Sequence, residues 1–182
     1  MPTTEQGARL AGQELRRIVY SAREIQERVR EMGREITGAY APGDQLLVLG
    51  LLKGSFIFLA DLVRSIDLPL HVDFLVASSY GDRKVSSGDV RLLYDPEASM
   101  EDRHVILVED IVDSGTTMNR LVPYLEERGS KSLEVCALLH KRIGSLVKEP
   151  RWVGFDAPEE FLVGYGLDYG EDFRHLPYIA SI

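Results

Sequence analysis

His104-Val105-Ile106-Leu107-Val108-Glu109-Asp110-Ile111-Val112-Asp113-Ser114-Gly115-Thr116-Thr117 is the stretch on which the fold turns. Its first half is a run of β-branched and other apolar residues, the pattern of a strand buried on both faces of a sheet. Its second half carries three carboxylates and a hydroxyl- and glycine-rich turn, after which Met118 to Arg128 follows a helical apolar pattern. In an open α/β sheet, ligands bind outside the carboxyl ends of the strands. Ser114, Gly115, Thr116 and Thr117 open the helix, where backbone N–H groups lack intrahelical partners and suit an anion, above all a phosphate. An Asp before a Ser/Thr-rich helix start is also ordinary capping. Glu109, Asp110 and Asp113 together exceed what capping needs. They repel one another, and a core rarely gathers them without a cation or a hydroxyl-rich ligand.

Outward from this stretch the chain alternates between strand and helix patterns. Gln45 to Leu52 is a second buried strand that runs into Lys53-Gly54-Ser55, and Phe56 to Ser65 continues with helical periodicity. Lys53 is a surface lysine by default. Placed with a glycine at the carboxyl end of a buried strand, it also suits a second phosphate group. Upstream, Leu15 to Tyr20 reads as a short strand. Ser21 with Glu24 forms a capping-box signature before a helix that shows Ile25, Val29, Met32 and Ile36 on one face. Leu70 to Ser79 and Val90 to Tyr94 read as strands around a polar, glycine-containing excursion, Tyr80 to Asp89, of the kind that forms either a lid or a plain loop. Ser132 to Leu139 is a further strand, ending in His140-Lys141-Arg142, so a second lysine stands at a strand end. The order predicts an α/β fold: a central, mostly parallel sheet with helices on both faces.

From Pro150 the character changes. Trp152-Val153-Gly154-Phe155 and Phe161-Leu162-Val163-Gly164-Tyr165 are short aromatic strands, expected to form a small antiparallel cap over the sheet edge. Asp168 and Arg174 close the segment, as an ion pair or as holders of a metal and an anion.

A length of 182 residues suits one domain, taken here as 1–182 with 150–182 supplying the cap. The net charge of −8 argues against broad binding of nucleic acid or an anionic membrane. Cys136, the only cysteine, lies in an apolar run and reads as a buried strand residue. Met1 to Gln13 is polar, without the apolar core of a signal peptide, and no apolar run is long enough to cross a bilayer. The default expectation is a cytoplasmic location.

VILVEDIVDSGTT resembles the phosphoribosyl-pyrophosphate (PRPP) signature of the type I phosphoribosyltransferases. LLKGSF is similar to their pyrophosphate loop, and SSYGD to the start of their flexible loop. HKR and VGFDAPEEFLVGYGLDYGEDFR resemble the purine-binding strand and hood of the hypoxanthine(-guanine) branch, so the resemblance covers nearly the whole chain. It implies transfer of the 5-phosphoribosyl group from PRPP to N9 of a 6-oxopurine, giving a nucleoside monophosphate and pyrophosphate. By the same resemblance Glu109 and Asp110 hold the ribose hydroxyls, and Ser114, Gly115, Thr116 and Thr117 hold the 5′-phosphate. Lys53 and Gly54 bind pyrophosphate, with a cis peptide at Leu52–Lys53, and Arg174 grips it. Mg²⁺ is held with the help of Asp168, and the set Asp168, Glu109 and Asp110 is the expected metal group. Asp113 acts as acid/base at purine N7, and Lys141 donates to O6. Phe161 stacks on the base, the Leu162 backbone reads its edge, and Ser79 and Tyr80 close over the centre. Thr116 stands where some relatives have a lysine, so the turn keeps its amides without that charge. The branch also suggests a homodimer or homotetramer. The rival reading is a regulatory protein on the same fold that senses PRPP and contacts nucleic acid, against which the acidic charge speaks.

Overall fold

The computed structural model describes residues 12–79 and 90–182. Nine strands and three helices follow one another in these residues. Strand β1 (Arg17–Tyr20) leads into helix α1 (Ala22–Ala39). Strand β2 (Leu46–Leu52), helix α2 (Phe56–Val63), strand β3 (Leu70–Ser79) and strand β4 (Val90–Tyr94) come next. Strand β5 (His104–Val112), helix α3 (Thr116–Glu126) and strand β6 (Ser132–His140) build the centre. Strands β7 (Trp152–Asp156), β8 (Leu162–Val163) and β9 (Ile179–Ser181) complete the chain.

The main sheet has the order β4-β3-β2-β5-β6-β7, parallel throughout except for β4. Alternation along each strand divides its side chains between two cores. Leu46, Val48, Ile106, Val108, Cys136 and Leu138 face the side covered by α1 and α2, with Ile25, Val29, Met32, Ile36, Phe58 and Leu62. Leu47, Leu49, Val105, Leu107, Val135 and Ala137 face the other side, under Met118, Leu121, Val122 and Leu125 of α3. Burial on both faces is why β2 and β5 read as unbroken apolar runs. Ser21 caps α1 as expected: its Oγ accepts from the Glu24 N–H and its own N–H donates to Glu24 Oε2. Such a cap contributes about 1 kcal/mol.

The structure departs from the sequence reading most at one helix and in the cap. Helix α3 begins at Thr116, not Met118, and ends at Glu126, not Arg128. The Trp152–Phe155 run does not belong to the cap: it is β7, the parallel edge strand beside β6. The cap is a separate three-stranded antiparallel sheet, β1-β9-β8, so its third strand comes from the other end of the chain. Arg17 pairs with Ser181 in register, and the Arg17 guanidinium bonds to Glu160. A small core of Val163, Phe173, Leu176 and Ile182 lies under this sheet. Among the described residues, no helix is long and apolar enough to cross a membrane.

Candidate active site

The carboxyl ends of β2, β5 and β6 converge with the cap. Strand β5 runs on through both of its acids, Glu109 and Asp110, which stand side by side at its carboxyl end with their carboxyls close enough to interact. Asp110 is 8% exposed. It lies directly under the loop after β2: a Cβ on Gly54 would sit 1.9 Å from Asp110 Oδ2, so only a glycine lets the loop settle there. The Gly54 carbonyl is covered in turn by Gly166 of the cap, where a Cβ would come within 2.1 Å of it. The Leu52–Lys53 peptide is cis. Thus the loop is held between a strand carboxylate below and the cap above. The cap is tied down nearby by Tyr165, whose hydroxyl donates to Asp61 of α2 at 2.6 Å.

Glu109 Oε2 is buried and meets no hydrogen-bond partner among the described residues. Burial, reinforced by Asp110 beside it, holds the Glu109 carboxyl well above the usual carboxylate range. Burial also raises Asp110, and backbone N–H donors and Arg174 draw it part of the way back. Two neighbouring buried acids, one with an unused oxygen, are costly in the free protein. That cost is the mark of a site built for hydroxyl donors or a cation.

Beyond β5 the chain turns sharply. Gly115, at φ 82°, is the N-cap of α3, and no side chain caps the helix. The first amides of α3 therefore point out of the helix end without intrahelical partners. Ser114 Oγ and Thr116 Oγ1 lie 3.0 Å apart across the turn. A small cleft of about 70 Å³ is lined by Glu109, Asp113 and the 114–117 turn, which sets the orphan-bearing acid and the helix-opening residues around one space. Asp113 is half-exposed at its rim and accepts from Lys141 Nζ at 2.9 Å. Lys141 is mostly buried and comes from the end of β6. Cation and carboxylate thus face each other beside the turn.

The cap supplies the remaining groups. Phe161 is 53% exposed and meets Tyr169 edge-on at 5.6 Å, leaving an aromatic face open. Leu162 is buried in β8. Arg174 NH1 donates to the Gly166 carbonyl, and NH2 bonds to Asp168 at 2.9 Å and to Glu171 at 3.3 Å. Lys53 Nζ also bonds to Glu171, at 3.1 Å. Those cations, led by Lys53, hold the Glu171 carboxyl below its ordinary range. Glu171 therefore bridges the two cations expected to meet pyrophosphate, a part the sequence did not assign to it. Its signal was an acid within Asp168-Tyr169-Gly170-Glu171-Asp172-Phe173-Arg174, between the two residues singled out there.

The structure brings Asp110, Gly54 and Arg174 around one loop, and Glu109, Asp113, Lys141 and residues 114–117 around the cleft. It does not gather Asp168, Glu109 and Asp110 into one metal set: no group of three acids, histidines or cysteines among the described residues could hold a metal. The donor chemistry still fits Mg²⁺, which keeps waters and takes one or two carboxylates together with substrate phosphates. Ser79 is described only as the last residue of β3, and Tyr80 lies outside the described residues.

The chain is similar to known proteins over most of its length. The family model described as "Phosphoribosyl transferase domain" matches residues 18–170. A hypoxanthine-guanine phosphoribosyltransferase of Dictyostelium discoideum is 44% identical over 171 residues, covering 92% of this chain and 95% of that protein. A hypoxanthine phosphoribosyltransferase of Escherichia coli K12 is 44% identical over 161 residues, covering 87% of this chain and 90% of its own. A solved hypoxanthine-guanine phosphoribosyltransferase of Bacillus anthracis superposes with a TM-score of 0.87 at 39% identity, covering 93% of this chain and 99% of that one.

Proposed function

The chain belongs to the phosphoribosyl transferase domain family, and we propose from that premise that it is a purine salvage enzyme acting on hypoxanthine. The 5-phosphoribosyl group passes from PRPP to N9 of the base, giving IMP and pyrophosphate. The observation that carries the reading is the Lys141–Asp113 pair, 2.9 Å apart, beside the anion-binding turn. A cation poised to donate selects an oxygen at C6, because adenine would set an amino donor against the ammonium. Guanine shares that oxygen and is the second expected acceptor.

Other roles follow from position. The 114–117 amides and hydroxyls hold the 5′-phosphate. Glu109 and Asp110 take the ribose hydroxyls, and the orphan Oε2 of Glu109 gains a partner when they bind. Lys53, Gly54 and Arg174 receive pyrophosphate once Glu171 yields its bonds. Asp113 holds or accepts the N7 proton while N9 attacks, and Lys141 keeps its carboxylate oriented. Phe161 offers its face to the base and the Leu162 backbone reads its edge, under a hood made of β8, β9 and β1. The family resemblance, not any described position, assigns Ser79 and Tyr80 to closing over the reacting centre. Asp168, with Glu109 or Asp110, would hold Mg²⁺, which when bound neutralises charge on the departing pyrophosphate. The protein's own task is positioning and charge stabilisation, because the reacting sugar carbon needs no protein nucleophile. We further propose that the chain acts as one domain, in the cytoplasm, as a homodimer or homotetramer.

The test is conversion of hypoxanthine to IMP with PRPP and Mg²⁺, followed by chromatography. Turnover is expected with hypoxanthine. Failure with hypoxanthine, guanine and xanthine alike contradicts the reading.

A further inference from the structure

Residues 141–151 cross from β6 to β7 without helix or strand, yet this segment carries Lys141. Its first pin is at the base end: the Lys141 N–H donates to the Val112 carbonyl at 3.0 Å, and its Nζ reaches Asp113. Its second lies at the phosphate end, on Asn119 of α3. Asn119 Nδ2 donates to the Ser145 carbonyl at 2.7 Å, and Asn119 Oδ1 accepts from the Val147 N–H at 2.8 Å. A carbonyl only accepts and an N–H only donates, so this pair fixes which way the amide points. The same helical residue closes the first turn of α3, its own N–H donating to the Gly115 carbonyl at 2.8 Å. Backbone contacts extend the seam. A Cβ at Gly115 would meet Leu146 Cδ2 at 2.3 Å, and one at Gly144 would meet the Ser114 carbonyl at 2.6 Å.

We propose that Asn119 is a positioning residue that fixes the distance between the phosphate-binding turn and the base-binding Lys141. The inference rests on the functional reading above. It adds that the two ends of the site are sutured through one carboxamide rather than set independently by β5 and β6. A ligand that spans both ends feels the suture. IMP carries both the 5′-phosphate and the 6-oxopurine, whereas PRPP carries the 5′-phosphate and no base. Loosening the seam therefore penalises IMP, and hypoxanthine that must bind beside an already seated PRPP, and spares PRPP on its own.

The experiment compares wild type, Asn119→Ala and Leu146→Ala by equilibrium binding of IMP and of PRPP, and by Michaelis constants for both substrates. Removing two hydrogen bonds is expected to raise the IMP dissociation constant about tenfold and to leave that of PRPP within about twofold. The KM for hypoxanthine rises with the former, and Leu146→Ala moves in the same direction. Equal losses of IMP and PRPP, or no loss of either, overturn the proposal. Amide exchange at Val147 judges the seam by itself: it is expected to be slow in wild type and fast in Asn119→Ala, and equal rates overturn it. Wild-type protein that binds neither ligand would instead refute the functional reading, with Val147 exchange still deciding the suture.

Discussion

Glu109 shows what single residues cost at this site. Its buried, unpartnered oxygen and raised pKa mean that the folded protein keeps a proton there that the unfolded chain releases. Stability then falls as pH rises from the unfolded carboxylate value, about 4.3, toward the folded one, because the unfolded state binds fewer protons across that window. Glu109→Gln removes the titration and supplies a neutral amide. Its expected effect is a gain of about 1–2 kcal/mol at neutral pH, which vanishes near pH 4, together with loss of activity. Thermal melting at the two pH values measures the gain, and an equal gain at both contradicts the assignment. Glu171 makes a smaller claim. Its bonds to Lys53 and Arg174 occupy cations proposed for pyrophosphate, and both Lys53 and Glu171 side chains are about two-thirds exposed. Exposed pairs are weak, so Glu171→Gln should lower the KM for PRPP by no more than about fivefold. A rise in that KM would make Glu171 a substrate ligand instead of a competitor.

At the scale of elements, the loop between β2 and α2 is set by what touches it on two sides. Asp110 lies below Gly54 and Gly166 lies above it. A Cβ on Gly54 would meet three atoms of one group, the Asp110 carboxyl, at 1.9 to 2.9 Å, and that carboxyl is buried on a central strand, so Gly54→Ala forces the loop or the strand acid to move. Loss of about 2 kcal/mol of stability is expected, with PRPP turnover falling further than the melting temperature alone explains. Chemical denaturation beside steady-state kinetics checks this, and a variant with wild-type PRPP kinetics would remove the sandwich from the account. The acid cluster and the hydroxyl turn were legible in the sequence because they lie within one strand–turn–helix unit. Asn119, Tyr165 and Gly166 were not, since each acts through a partner far along the chain that no local pattern announces. The start of α3 was misplaced by two residues because Thr116 and Thr117 carry cap chemistry, while the capping position belongs to Gly115, whose backbone alone serves.

Across the whole molecule, the parallel sheet was legible from its unbroken apolar strands, and the two cores follow from their alternation. Two features were hidden. Strand β7 lacks a crossover helix before it, so its aromatic run resembled the cap strands that follow. Strand β1 pairs with β9 across almost the full chain, and short strands carry no record of distant partners. The central strands predict one global property. Cys136 is fully buried on β6, and burial pushes its thiol far above the ordinary range. Reaction with a thiol reagent should therefore track global unfolding, and rapid labelling of the native protein would show that the β6 core opens locally.

The proposed base selection depends on Lys141 and Asp113 at the mouth of the cleft. The most direct test is kcat/KM for hypoxanthine and for adenine, with PRPP and Mg²⁺, in wild type and in Lys141→Ala. A charged hydrogen bond of this kind is worth about 1.5–3 kcal/mol, so hypoxanthine should lose roughly ten- to a hundredfold in the variant. Adenine, never helped by the ammonium, should lose little, and the preference should shrink accordingly. If Lys141→Ala leaves the hypoxanthine-to-adenine ratio unchanged, Lys141 does not read the base and the account fails at its centre.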